Sequence, residues 1–216
     1  MESSIIFTSS ILILLLSVIT HEVMHGLVAL KFGDHTAEHA GRLTLNPIPH
    51  IDPIGTILMP AVFLLLPLIT GSPAGFFVAW AKPVPVNPLN FNNIKKGELY
   101  VSAAGILTNI SLALVCTILF HLSTALLPSN YIIPVVLIFA VKINLMLGLF
   151  NLLPIPPLDG SKVLMSLLPY DAAREYMKLE RYGFLILLAL LYFNVIGTIL
   201  SSILIPISSL LRIPLF

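Results

Sequence analysis

The chain has 216 residues, 57% of them hydrophobic and 10% charged, with a formal net charge of +1 and a mean hydropathy of +1.01. No aqueous core could hide that much aliphatic surface, so the composition is that of a polytopic membrane protein whose first partner is the lipid bilayer. The near-neutral charge argues against a nucleic-acid footprint, and the single Cys116, inside an apolar run where it reads as packing, excludes an internal disulfide framework.

Apolar segments fall at about 4 to 32, 54 to 70, 99 to 125, 131 to 153 and 183 to 211, against the roughly 20 residues that a helix needs to cross a bilayer. The expected fold is an all-α polytopic membrane protein with about five to six transmembrane helices, forming a single domain over residues 1–216 with no room for a separate soluble one. The first run has no basic residues before it and no small-residue cleavage site after it, so it is expected to be a retained span rather than a cleaved signal.

That first run carries His21-Glu22-Val23-Met24-His25, three ionisable groups where lipid makes them costly, and such groups mark a functional site by default. On a helix, residues at i and i+4 share a face. His21 and His25 can therefore reach one tetrahedral Zn²⁺ while Glu22 points near a water on it, the arrangement of a zinc protease. Without a metal, the two histidines would need hydrogen-bond partners and the glutamate a counter-charge.

Basic residues lie at Lys31 and Arg42, at Lys95 and Lys96, and from Lys162 to Arg181, whereas the turn from Leu127 to Tyr131 has none. The positive-inside rule makes those loops cytoplasmic and the turn external, which puts His25 and the end of the 131 to 153 helix in the cytoplasmic half of the bilayer.

If 54 to 70 spans, the proline-broken stretch Gly71 to Asn93 must return, and a membrane-embedded, re-entrant β-hairpin-like segment is expected there, the alternative being a cytoplasmic loop resting on the membrane. In Ala81-Lys82-Pro83-Val84-Pro85-Val86-Asn87-Pro88, an extended chain puts the prolines on one edge and leaves Val84 and Val86 with full backbone groups on the other. That edge is suited to receive an unwound substrate. The 29-residue run Gly183 to Leu211 is expected to break at Gly197 and Pro206 into a span and a shorter return that keeps Arg212 inside, the alternative being one long tilted helix that places Arg212 outside.

A catalytic zinc usually keeps three protein ligands, one more than HExxH supplies. Position 31, where a metzincin needs histidine, is Lys31. Glu38 and Glu98 are conceivable ligands, although both lie among loop charges. Asp159 is the better candidate, because the prolines of Asn151-Leu152-Leu153-Pro154-Ile155-Pro156-Pro157-Leu158-Asp159-Gly160 interrupt an apolar helix and present one carboxylate, while a plain helix cap is the alternative. His35 and His39 are also four apart, but in a polar loop. His50 and Asp52 either line the site or order a loop; His121 reads as interfacial and Asn144 as an interhelical hydrogen-bonding residue.

The pairing of His21, Glu22 and His25 with Asn151, Pro154, Asp159 and Gly160 resembles the HExxH and NxxPxxxxDG signature of the site-2 protease family of intramembrane zinc metalloproteases. Ala103-Ala104-Gly105-Ile106-Leu107-Thr108-Asn109 is similar to the family's AGPxxN segment, with Ile106 in place of the proline. Arg42 to Pro47, His50 to Pro53 and the residues around Val84 look like its compact branch, which has no PDZ or CBS domain. The resemblance covers most of residues 20 to 165, within a catalytic core of about 4–168, and leaves 183–211 as a terminal transmembrane segment.

The resemblance implies hydrolysis of peptide bonds in transmembrane helices, with one zinc per chain on His21, His25 and Asp159. Glu22 would be the proton carrier, and the amide of Asn151 either a support for the oxyanion or a buried group that fixes the broken helix. Its partner is a transmembrane-helix substrate, unwound before cleavage. Two rival readings are a membrane zincin with a downstream glutamate ligand, as in prenyl-protein processing, and a non-proteolytic transporter or scaffold with a structural zinc.

Overall fold

The computed structural model describes residues 2–58, 61, 62, 65 and 81–215. An uninterrupted aliphatic run makes α1, Glu2–Lys31, whose 30 residues extend about 45 Å at 1.5 Å per residue. Gly33, at φ 99°, ends it in a Schellman turn: its amide donates to Leu30 O at 3.0 Å and that of Asp34 to Ala29 O at 3.0 Å. A short helix α2, Thr36–His39, follows. Asn93 caps α3, Ile94–Leu126, by accepting from the Lys96 amide, so this helix starts five residues before its apolar run. The turn at 127–131 then leads to α4, Ile132–Leu152.

Among the described residues, the helices Ser4–Lys31, Ile94–Leu126 and Ile132–Leu152 are long and apolar enough to cross a membrane. They form the framework: α3 packs along α4, and α1 lies against both. Beyond Pro154 the chain enters α5, Asp159–Leu167, which packs on α3 and α4, and then α6, Tyr170–Met177.

The terminal run divides into α7, Glu180–Tyr192, and α8, Val195–Leu211, bent by 69°. The break is at Phe193 and Asn194, not at Gly197 and Pro206. Asn194 takes the left-handed conformation, and the missing side chain of Gly197 leaves room for the Asn194 carboxamide. Pro206 stays inside α8. The expected return is also replaced: Gly183 sits against the Pro156 backbone at the α5 end, whereas Leu211 O accepts from His121 Nε2 at 2.9 Å near the 127–131 turn. The bent pair thus runs from one end of the bundle to the other. Ile196, Leu200 and Leu204 bury against Ala113, Val141 and Leu145, with Cys116 packed beside them.

No β-strand occurs among the described residues. Residues 71–80 of the expected hairpin and most of the expected span at 54–70 lie outside them; Pro53–Leu58 is a π-helical turn. Residues 81–87 form a segment outside any strand pairing, held by a main-chain bond and several side chains. Lys82 N donates to His50 O at 3.0 Å, and Arg42 donates to the carbonyls of Lys82 and Pro83 at 2.7 and 3.1 Å. Asp34 accepts from Asn87 N at 2.7 Å.

Candidate functional site

The i, i+4 spacing in α1 and the proline break after α4 bring distant residues to one point. His21 Nε2 and His25 Nε2 each lie 3.1 Å from Asp159 Oδ2 and 3.0 Å from one another. Asp159 reaches them because Pro154, Pro156 and Pro157 stop α4 and restart the chain as α5. Gly160 is required at that restart: a Cβ there would overlap the Leu152 carbonyl. Gly105 of α3 faces the two imidazoles, where a Cβ would lie 2.5 Å from His21 Cε1.

The other ring nitrogens are engaged. His21 Nδ1 lies 2.6 Å from Asn109 Oδ1, and His25 Nδ1 lies 2.7 Å from Val101 O. Both partners only accept, so each Nδ1 carries a hydrogen, and in the neutral ring each Nε2 then presents a lone pair. With both rings neutral, two lone pairs and a carboxylate oxygen converge with no hydrogen between them, and Asp159 Oδ2 is buried without a hydrogen-bond partner. Such a cluster demands a cation. Its edges are close to the roughly 3.3 Å between ligand atoms about 2.0–2.1 Å from a tetrahedral zinc, and two imidazoles with one carboxylate suit that ion.

Glu22, one residue round the helix, accepts from Val84 N through Oε2 at 2.9 Å. Because positions 83 and 85 are prolines, this is the only amide between Lys82 and Val86. A cavity of about 570 Å³ opens beside the cluster, lined among others by Glu22, Val86, Glu98, Asn151 and Lys162. Asn151 Nδ2 donates to Leu147 O at 3.1 Å, which leaves one N–H free.

The geometry thus gathers His21, His25 and Asp159, with Glu22 and Asn151 on the same cavity. Glu98 lines the cavity without joining the three, and Glu38 is exposed, bonded to His35 Nδ1 at 2.7 Å. His35, Glu38 and His39 form a second, exposed group close enough to share an ion. His50 and Asp52 order a loop: His50 Nε2 donates to Thr44 O, and Asp52 Oδ1 accepts from the amides of Ile54 and Gly55. Gly105 and Asn109 had no assigned role in the sequence, and the small-residue segment ending at Asn109 was the signal for them; the Val84 amide, expected on the substrate-receiving edge, is instead engaged by Glu22.

The model of peptidase family M50 matches residues 125–193. Among named proteins, the chain is 38% identical over 185 residues to YwhC of Bacillus subtilis, covering 83% of this chain and 78% of that one. It is 30% identical to Rip2 of Mycolicibacterium smegmatis, covering 82% and 64% of the two chains, and 30% identical to Rip2 of Mycobacterium tuberculosis, covering 82% and 63%. All three carry zinc metalloprotease names. No solved structure matches.

Proposed function

As the chain belongs to peptidase family M50 and is a membrane-inserted zinc metalloendopeptidase, we propose that it hydrolyses peptide bonds within or near transmembrane segments of other membrane proteins. The observation that carries this reading is the convergence of His21, His25 and Asp159 beside Glu22, in a cavity framed by helices that are apolar enough to lie in lipid. A protease for soluble substrates has no need to place its chemistry there.

In this reading His21 Nε2, His25 Nε2 and Asp159 Oδ2 hold the zinc. When bound, the ion supplies a Lewis acid that eases deprotonation of water and stabilises negative charge on the substrate carbonyl oxygen. Glu22 takes the proton of the attacking water and delivers it to the leaving amine. The Val84 N–H fixes Oε2 and so aims Oε1. Asn151 supports the oxyanion with its free N–H.

The amides of a substrate helix are protected by its own hydrogen bonds, so it must unwind first. Val84 and Val86 offer backbone groups for it to pair with. Since the Val84 N–H is spent on Glu22, the receiving edge is the Val84 carbonyl and both groups of Val86, shorter than a complete strand. By the positive-inside rule the site opens in the cytoplasmic half of the bilayer.

The test compares wild type, Glu22→Gln and Asp159→Ala in detergent, measuring zinc per chain and cleavage of a transmembrane substrate with a helix-breaking centre. One zinc in wild type, kept without cleavage in Glu22→Gln and lost in Asp159→Ala, is the expected result. Cleavage by Glu22→Gln would sink the mechanism, and full zinc in Asp159→Ala would move the third ligand elsewhere.

A further inference from the structure

Behind His21 lies a chain of buried polar groups that crosses three helices and returns to its origin. Asn109 of α3 sits 2.6 Å from His21 Nδ1 through Oδ1. Its Nδ2 donates to Asn144 Oδ1 of α4 at 3.0 Å. Asn144 Nδ2 donates to Ala140 O and to Ser17 Oγ, both at 2.9 Å. Ser17 is on α1, one turn before His21. Exposure falls from 6% at His21 and 3% at Ser17 to 2% at Asn144 and 0% at Asn109, so no member can turn to water for a substitute partner.

The direction of this chain follows from its far end. A backbone carbonyl only accepts, so the end of Asn144 at Ala140 O must be its NH₂, which places Oδ1 at Asn109. That oxygen needs a donor, so Asn109 presents its NH₂ there and its own oxygen to His21. Turning Asn109 over would set two buried oxygens against each other and cost a buried hydrogen bond. Of the two neutral tautomers of His21, only the one with hydrogen on Nδ1 and a lone pair on Nε2 complements that oxygen.

We infer that Asn109 and Asn144 are positioning residues which, with Ser17, lock His21 in the tautomer that turns its Nε2 lone pair toward the metal. The inference rests on the zinc site proposed above. His25 gets the same service from the Val101 carbonyl, which no substitution removes, so the side-chain route to His21 is the one that mutation can break. Outer partners of this kind typically change metal affinity by about 10–100-fold.

Zinc affinity of the full chain in detergent, by competition with a chromophoric chelator, should fall by about 10–100-fold in Asn109→Leu. Asn109→Asp, which keeps an acceptor for Nδ1–H, should recover most of it. Asn144→Leu, which frees Asn109 to turn over, should fall between. The thermal midpoint of each zinc-free variant separates loss of fold from loss of the site. If Asn109→Leu does not fold, ¹⁵N-histidine spectra of the zinc-loaded wild type decide, with His21→Gln identifying the signal: hydrogen on Nδ1 of His21 supports the inference, and hydrogen on Nε2 overturns it. Unchanged affinity in a folded Asn109→Leu also overturns it, whereas a wild type that binds no zinc defeats the metal site itself.

Discussion

Gly105 shows how closely the histidine pair is fitted. A methyl group there would come within 2.6 Å of His25 Nε2 as well as reaching the His21 ring, so Gly105→Ala must push the imidazoles apart or α3 away from α1. We expect Gly105→Ala to bind zinc at least about tenfold more weakly while keeping its helix content; this follows from the tolerance of about half an ångström for a functional constellation, and zinc titration beside circular dichroism checks it. That His21, His25 and Asp159 would meet beside Glu22 was legible in the sequence, because zinc chemistry restricts residue type and sets the spacing of the first two, and the proline break presents the third. Gly105 and Asn109 were not, since each acquires its role only when α3 meets α1, and His21 and Asn109 are 88 positions apart.

The segment 81–87 depends on Asp34, which is fully buried where α1 ends. Burial alone would raise the Asp34 carboxyl, but hydrogen bonds from Thr36, Asn87 and Asn90 outweigh it and hold the group below its ordinary 3.8. A depressed carboxylate contributes stability that is fully present above its unfolded value and is lost as pH falls through the folded one. Lowering the pH from 7 toward 3 should therefore narrow the difference in thermal midpoint between wild type and Asp34→Asn; a constant difference would remove the charge from the account. The aliphatic runs made α1, α3 and α4 legible, because lipid leaves a helix as the only form in which such a run satisfies its backbone. The same reasoning misplaced the break in the terminal run, since a helix in apolar surroundings carries Pro206 for one hydrogen bond, whereas Asn194 turns the chain locally. The alternation of proline and valine at 83–86 suggested a strand, whereas the side chains of Arg42, Glu22 and Asp34 that anchor the segment lie far away in sequence and left no local pattern to read.

For the molecule as a whole, the bent α7–α8 pair connects the Asp159 end of the bundle with the turn at 127–131. In a Cys116→Ala background, single cysteines at Asn130 and Arg212 should react with an impermeant thiol reagent from the outside of intact cells, and one at Lys95 only after permeabilisation. Arg212 reacting together with Lys95 instead would restore the short return and contradict the bend. The cavity beside Glu22 has a further consequence at this scale. A water molecule's share of the liquid is about 30 Å³, so a space of about 570 Å³ has room for on the order of twenty waters, and each bond cleaved consumes one. The fold therefore leaves room for the second reagent of hydrolysis at the place of use.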